Sequence, residues 1–224
     1  MLLNDDLSRR ALVHARRLQW APSPSAGVER RRLFRVGEEK ARATSIVRYA
    51  PGSRFARHTH PGGEEFLVLE GVFQDEAGEY PAGSYVRNPP ASAHAPGSAD
   101  GCVIFVKLWQ FRRADHQHIV RRPGEGQGAD GAGGQGGSCI LFEDAYEQVR
   151  IDEWAPRAPV SLPNPHGLEI LVLAGGIGLP DERLEEWSWL RMPAGAALQA
   201  VASERGARIW IKSAPLLHET VCAF

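Results

Sequence analysis

One short stretch of this 224-residue chain carries side chains that commonly bind metal ions, at regular spacing. His58 and His60 are two residues apart, so on a β-strand both imidazoles project from the same face. Residues 61–63 (PGG) turn the chain, and Glu64 then begins a second strand whose carboxylate can return to the same point. A further histidine, His94, follows a Pro-rich turn. Three imidazoles and one carboxylate suit a first-row divalent metal ion.

The elements that must position these residues have the pattern of β-strands. Three runs rich in β-branched and aromatic residues, 42–49, 66–73 and 102–111, are separated by turns that contain glycine and proline. None of these segments combines helical periodicity with capping residues. Residues 1–20 fit either one helical face or a short edge strand, and we favour a strand or extended arm. The pattern predicts an all-β protein.

The second half of the chain resembles the first. The segment 65–71 (EFLVLEG) returns as 169–175 (EILVLAG), and Pro-Ala-Gly occurs at both 81–83 and 193–195. The strand VIFVK is matched by RIWIK later in the chain, in the same order. We interpret this as an internal duplication that gives two β-barrels in one chain.

These patterns predict a metal-binding barrel with an N-terminal arm at 1–115, a Gly-rich linker at 116–138 and a second barrel at 139–224. In the second barrel the ligand positions carry other residues. Leu162, Asn164 and Leu168 align with His58, His60 and Glu64, so we expect this barrel to be free of metal and to serve packing or dimerisation.

The spacing of the candidate ligands resembles the first motif of the cupin family, G-x5-H-x-H-x3-E-x6-G. Gly52, His58, His60, Glu64 and Gly71 match every specified position. The resemblance implies two jelly-roll-like barrels, the first of which binds one divalent metal ion. It also implies Glu64 as the carboxylate ligand, whereas its neighbour Glu65 would face away and pair with a basic residue.

The second cupin motif, G-x5-P-x-G-x2-H-x3-N, is matched by Gly83, Pro89 and His94. The chain departs from it at Ala91, where the family has glycine, and at Ser98, where the family has asparagine. Both are turn positions, so the departures put the shape of the turn in doubt but remove no ligand. The resemblance therefore implies His94 as the fourth ligand.

Residues 20–111 resemble the cupin domain of the ChrR-like group, through features such as HPGGEEF at 60–66 and WQF at 109–111. In that group a zinc-binding cupin follows a small helical zinc domain that binds a sigma factor. The H-x3-C-x2-C signature of that helical domain is absent here, so the resemblance implies the metal cupin but does not support sigma-factor binding. Similar cupins also include iron dioxygenases that cleave small diketones or hydroxylated aromatic ketones.

The charge balance excludes some classes of partner. The chain has 26 basic and 27 acidic side chains, which gives no electrostatic case for nucleic acid or an anionic membrane. No stretch predicts a membrane span or a secretory signal. The three cysteines are far apart, so we expect no disulfide framework and a cytoplasmic location.

Other candidate sites have simpler interpretations. His116 and His118 lie in the polar connector and are expected to be solvated. The basic run Arg30–Arg32 with Arg35 is interpreted as a solvated strand edge rather than an anion site. Cys102 begins an apolar strand and is expected to be a buried hydrophobic residue. Alternation places four residues inside the first barrel: Phe66, Val68, Tyr85 and Lys107.

Two functions fit the predicted centre. The ChrR-like resemblance favours a regulatory or stress-sensing bicupin, in which zinc, the favoured metal, fills a His3Glu site that needs no substrate. The alternative is an enzyme with iron(II) or another first-row metal, a non-haem dioxygenase acting on a small diketone or hydroxylated aromatic ketone. No catalytic side chain or organic cofactor is predicted. The expected partners are a small molecule or an oxidant, and a homodimer is possible.

Overall fold

The computed structural model describes residues 1–38, 40–125, 127–129 and 136–223, and these residues form an almost entirely β structure. Residues 126 and 130–135 of the predicted linker lie outside this description. The only helix among the described residues is a single 3-10 turn, Ala15–Arg17. Nowhere in that part of the chain does a helix have the length and hydrophobicity needed to cross a lipid bilayer.

The described residues form 22 strands. The first eleven are β1 Leu2–Leu3, β2 Ala11–His14, β3 Ala21–Pro22, β4 Val28–Gly37, β5 Ala41–Tyr49, β6 Ser53–Arg54, β7 His58–His60, β8 Glu64–Asp75, β9 Gly78–Pro81, β10 Tyr85–Asn88 and β11 Ser92–His94. The others are β12 Gly97–Ser98, β13 Cys102–Leu108, β14 Ile119–Arg121, β15 Gln127–Ala129, β16 Ser138–Glu143, β17 Gln148–Trp154, β18 Pro159–Asn164, β19 Leu168–Gly178, β20 Arg183–Glu185, β21 Ser188–Met192 and β22 Gly195–Ser213.

Packing divides the chain into two compact units, neither of which is continuous in sequence. Unit 1 comprises Met1–Asp5, Gln19–Glu125 and Leu217–Phe224. Unit 2 comprises Asp6–Leu18 and Gly126–Leu216. The sequence analysis placed continuous domains at 1–115 and 139–224. The two descriptions differ because the N-terminal segment Asp6–Leu18 belongs to unit 2 and the C-terminal segment from Leu217 belongs to unit 1.

Backbone hydrogen bonding explains the exchange. Strand β2 pairs antiparallel with β21 of unit 2, and Ala11 lies opposite Arg191. The C-terminal segment returns to unit 1, where the Arg113 amide donates to the Thr220 carbonyl at 3.0 Å. Each segment thus satisfies backbone groups that would otherwise lie at an open edge. The extended conformation favoured for residues 1–20 is confirmed at β1 and β2.

The main sheet of unit 1 has the strand order β1-β4-β5-β13-β8-β10-β14, and β7 pairs with β11 in a separate two-stranded sheet. One face of the main sheet carries the apolar core, which includes Phe66 and Val68 as predicted. Tyr85 and Lys107 were expected in the same interior, and this expectation is wrong. Lys107 lies directly opposite Glu65, and Tyr85 opposite Leu67, on the other face of the sheet.

That other face contains a buried charged row. Glu65 is 2% exposed and accepts a hydrogen bond from the Tyr85 hydroxyl at 2.7 Å. On the two neighbouring strands it lies opposite Arg87 and Lys107. Glu65 therefore faces away from the apolar core and is flanked by basic residues, as the sequence predicts.

Unit 2 repeats this arrangement. Its main sheet has the order β15-β16-β17-β22-β19-β21-β2, and Glu169 lies opposite Arg191 and Lys212. The same glutamate, arginine and lysine positions therefore recur on corresponding strands of both units. Together with the matching strand orders, this confirms the prediction of an all-β chain with two jelly-roll-like barrels.

The positions in unit 2 that align with the candidate ligands serve packing. Leu162 and Leu168 are part of the hydrophobic core of the unit. Asn164 is 2% exposed, and its amide nitrogen donates to the Pro193 carbonyl at 2.7 Å. Apolar contact and backbone hydrogen bonds thus occupy all three side chains. That unit 2 binds no metal stays a prediction.

Candidate metal centre

Two short paired strands bring the three histidines together. Strands β7 and β11 are antiparallel, with His94 directly opposite His58. His60 lies two residues further along β7, opposite Ser92, and so shares the face of His58. The turn after β7 then leads into β8, whose first residue is Glu64. The structure therefore places all four predicted ligands at one end of unit 1.

The imidazole nitrogens are close enough to share one ion. The Nε2 atoms of His60 and His94 are 3.0 Å apart. One ligand atom from each of His58, His60 and His94 lies within 4.8 Å of the others. Two nitrogens bound at about 2.1 Å to one ion are separated by roughly 3.0 to 3.4 Å when their angle is between about 90° and 109°. The observed separation fits adjacent coordination positions of a first-row metal ion.

Glu64, the predicted fourth ligand, lies beside two of the histidines on the buried side. Its Oε2 atom lies 3.5 Å from Nε2 of His94 and 3.7 Å from Nε2 of His60. The side chain is 6% exposed, and the amide nitrogen of Asn88 donates to Oε2 at 3.2 Å. Asn88 lies directly opposite Glu64 on strand β10, so the sheet register holds this hydrogen bond in place. A buried carboxylate among three imidazoles suits the charge of a divalent cation.

Contacts behind two of the histidines orient their rings. Nδ1 of His94 lies 3.3 Å from Oδ2 of Asp75, and Nδ1 of His58 lies 3.1 Å from the Ala56 carbonyl. Because both partners accept hydrogen bonds, each Nδ1 carries the proton, which leaves Nε2 free to donate its lone pair to an ion. The sequence analysis missed Asp75 and Asn88, because only the strand pairing brings them to the site.

The electrostatics of the two more buried histidines differ. Burial lowers the pKa of His60, and the neighbouring imidazoles of His94 and His58 add to this effect although Glu64 opposes it. Burial also acts to lower the pKa of His94, but its hydrogen bond to Asp75 and the charges of Glu64 and Asp75 outweigh burial and raise the pKa. A proton therefore competes with a metal ion more strongly at His94 than at His60.

Asp75→Asn is expected to weaken metal binding about 10- to 100-fold, because the His94 ring would lose the charged acceptor that fixes its tautomer. Calorimetric titration with Zn²⁺ at pH 8 would measure this affinity. Asp100 is exposed, and Asp100→Asn is the matched control with unchanged affinity expected. Equal affinity in the Asp75 and Asp100 variants would contradict a role for Asp75.

The turn between β7 and β8 is closed by aromatic residues that follow β13. A side-chain carbon added at Gly62 would lie 2.0 Å from Cδ1 of Trp109, and one added at Gly63 would lie 2.5 Å from Cδ2 of Phe111. Gly63 also has a φ of +76°, a conformation that glycine adopts without strain. The Trp109 amide donates to the Gly63 carbonyl at 3.2 Å. This packing sets the path of the chain from the histidines to Glu64.

The two departures from the second cupin motif both form backbone hydrogen bonds, but only Ala91 lies in a turn, whereas Ser98 lies in strand β12 and not at the turn position expected of it. Ala91 has a φ of +68°, the left-handed conformation that suits the glycine found in the family. Its amide donates to the His60 carbonyl at 2.9 Å, which ties the turn to β7. The Ser98 hydroxyl donates to the Val72 carbonyl at 2.7 Å. The turn thus forms with alanine in the glycine position, at a cost in backbone strain.

Ala91→Gly is therefore expected to raise the free energy of unfolding by about 0.5–1 kcal/mol, since relief of the left-handed strain exceeds the added chain entropy. Ala93→Gly, within strand β11, is the control and is expected to lower it by a similar amount. Urea denaturation would compare the two variants with the wild type. A destabilised Ala91→Gly variant would contradict this account of the turn.

The other candidate residues have the simpler roles expected of them. His116 and His118 are both exposed. Cys102 is 4% exposed, and burial raises the pKa of its thiol to about 11, so it packs as a small hydrophobic residue. Burial also raises the pKa of Cys222.

The comparisons with known proteins agree with this fold. Residues 8–112 match the ChrR Cupin-like domain family, as the motifs of this segment predict. No curated protein sequence matches the chain significantly.

Solved structures of several differently described proteins share the fold of nearly the whole chain. A candidate dioxygenase from Nostoc punctiforme has a TM-score of 0.74 and 15% identity, over 97% of this chain and 87% of its own. The pirin YhhW from Escherichia coli, in complex with nickel(II), has a TM-score of 0.68 and 13% identity, over 92% and 99%. The coconut allergen cocosin has a TM-score of 0.64 and 9% identity, over 94% and 86%. At these identities the similarity establishes the fold alone. The chain thus has a cupin-like fold and, in unit 1, a histidine cluster suited to a metal ion.

Proposed function

We propose that unit 1 binds one divalent metal ion through His58, His60, His94 and Glu64, and that this centre acts on a small molecule. The convergence of the four donor groups carries the proposal. His58 is exposed whereas Glu64 and His94 are buried, so the centre can be reached from solvent on the side of His58. A six-coordinate ion held by four protein ligands keeps two positions for a substrate.

Dioxygenase activity is the function that this arrangement supports best. A redox-active ion such as iron(II) would supply the binding and activation of dioxygen at its open positions. The protein residues would then orient and shield the substrate. Asp75 holds the His94 ring in place and Asn88 holds the Glu64 carboxylate, while the apolar core around Phe66 excludes water from the inner side of the centre. The candidate dioxygenase from Nostoc punctiforme, similar over 97% of this chain, supports the proposal.

A regulatory or stress-sensing role is the second candidate, and the match of residues 8–112 to the ChrR Cupin-like family favours it. In that case zinc would fill the site, and an oxidant would act on a ligand or loosen the barrel. The buried thiols of Cys102 and Cys222 are poor oxidant sensors because their raised pKa values disfavour the reactive thiolate.

The metal content of protein purified without chelators or added metals tests both candidates. Near one iron per chain, with oxygen uptake in the presence of small diketones, is the result expected of a dioxygenase. Near one zinc per chain, with metal release on treatment with oxidant, is the result expected of a sensor. Protein that neither contains metal nor takes up Zn²⁺, Fe²⁺ or Ni²⁺ in calorimetry would overturn the metal centre itself.

The remaining expectations about this chain stay predictions. These are a homodimer, a cytoplasmic location, a small molecule or oxidant as the partner, and the lack of a nucleic-acid or membrane partner.

A further inference from the structure

The basic run of strand β4 does not form a solvated edge. Strand β4 pairs with β5 along its whole length and also with β1 and β3. Arg30 lies directly opposite Val47, and Val47 belongs to the apolar core of unit 1. Directly opposed residues share a face of the sheet, so Arg30 faces the inside of the metal-binding unit.

A β-bulge keeps two more arginines on this inner face. Arg32 lies opposite Ser45, and the register then shifts by one residue before Phe34. Because of the shift Arg35, three positions after Arg32, lies opposite Ala43 on the same face. Without a bulge, Arg32 and Arg35 would face opposite sides of the sheet. Three arginines of this basic run, Arg30, Arg32 and Arg35, therefore face the inside of unit 1.

Of these arginines, Arg35 lies at the same end of the sheet as the metal ligands, and Arg32 lies one inner-face row further along the strand. Ala43 is opposite Leu108 on β13, and Leu108 is opposite Glu64 on β8. Arg35 and Glu64 are thus in one row across the sheet, three strand spacings or roughly 14 Å apart along it. Between them in this row, the inner face carries Ala43 on β5 and Leu108 on β13.

The cations are poorly neutralised by the protein. Neither Arg30 nor Arg32 has an ion pair within 4.0 Å among the described residues, and Nε of Arg32 is buried without a hydrogen-bond partner. Arg35 donates to the backbone oxygen of Glu38. Burial lowers the pKa of Arg30, and repulsion from Arg35 and Arg32 lowers it further, although Tyr49 acts in the opposite direction.

We propose that the inner wall formed by Arg30, Arg32 and Arg35 binds the carboxylate of a small organic acid whose other end reaches the metal centre. Guanidinium groups pair with carboxylates through two parallel hydrogen bonds, and a ligand here would relieve the repulsion among three like charges. The proposal rests on the proposed function and adds the substrate class to it: a small keto acid or dicarboxylic acid rather than a neutral diketone.

Calorimetric titration of the metal-loaded chain with 4-oxopentanoate, succinate and glutarate tests this inference. Neutral 2,5-hexanedione has nearly the shape of 4-oxopentanoate and serves as the uncharged probe. We expect at least one of the acids to bind at least about tenfold more tightly than the dione. Arg32→Gln and Arg30→Gln should each weaken its binding about tenfold or more, since each removes a charged hydrogen-bond partner.

The matched control is Arg31→Gln. Arg31 is the neighbour on the same strand, but it faces the other side of the sheet, where its guanidinium lies 4.1 Å from the ring centroid of Trp20. We expect carboxylate binding to be unchanged in this variant. The Arg30 and Arg32 variants should also keep their metal content, because neither arginine is a predicted ligand.

Three results would overturn the inference: none of the acids binds, the dione binds equally well, or inorganic phosphate competes equally with the bound acid. Loss of binding in Arg31→Gln equal to that in Arg32→Gln would also contradict it. The metal content of the same samples reports on the proposed function separately. If the metal-loaded protein binds none of the acids, the proposed arginine site is refuted while the proposed metal centre is not.

Discussion

Replacing His94 with alanine is expected to lower the affinity for a divalent metal ion at least about 100-fold. His94 provides a nitrogen 3.0 Å from that of His60 and 3.5 Å from the Glu64 carboxylate, so its ring lies at the centre of the donor set. It is also the ligand that Asp75 orients. Elemental analysis of the purified variant, followed by titration with Zn²⁺, would measure the loss.

His118→Ala is the matched control, since His118 belongs to a second His-x-His sequence whose histidines are exposed. This variant should keep the metal content and affinity of the wild type. His94→Gln is a second replacement that retains a polar side chain in case the alanine variant is unstable. Wild-type affinity in both folded His94 variants would refute the proposed centre.

Gly62→Val is expected to cost about 1–3 kcal/mol in the free energy of unfolding and to reduce the metal content of the folded protein. The first side-chain carbon would lie 2.0 Å from Cδ1 of Trp109, so either the indole or the turn between β7 and β8 must move. Movement of the turn shifts Glu64 relative to His60. Thermal unfolding and elemental analysis of the same preparation would measure the two effects.

Gly137→Val is the control, because a side-chain carbon at Gly137 meets no atom within 4 Å. If the clash with the indole is the cause, combining Gly62→Val with Trp109→Ala should cost less stability than the sum of the two single changes. A strictly additive double variant would contradict this explanation. Gly62→Ala places the same carbon near the indole with less bulk, and remains informative if the valine variant does not fold.

Much of the candidate site could be predicted from the sequence, because three of its four residues are close together in the chain. His58 and His60 share a face through the two-residue period of a strand, and a short turn returns the chain to Glu64. His94 follows a Pro-rich turn, and its match to the second cupin motif supported it as a ligand. The duplicated segments likewise predicted two barrels, since sequences with the same pattern of core and turn residues bury the same face.

Pairs of residues that are distant in sequence depended on strand register instead. Asp75 lies 19 residues before His94, and Asn88 lies 24 residues after Glu64. Nothing in either local segment indicates these contacts. They follow from which strands are neighbours and which residues are opposed, and both are consequences of how the whole sheet packs.

The same limit explains the two interpretations that the structure changed. Alternation alone placed Lys107 inside the barrel, but its opposition to Glu65 puts it on the outer face. The basic run was taken for a solvated edge, but its pairing with β5 and one bulge turn Arg30, Arg32 and Arg35 inward. A bulge changes the face of every later residue in a strand, and the amino-acid pattern does not mark its position. The sequence by itself therefore determined the candidate metal ligands and the duplicated β fold, whereas the tertiary structure decided which charged side chains accompany them.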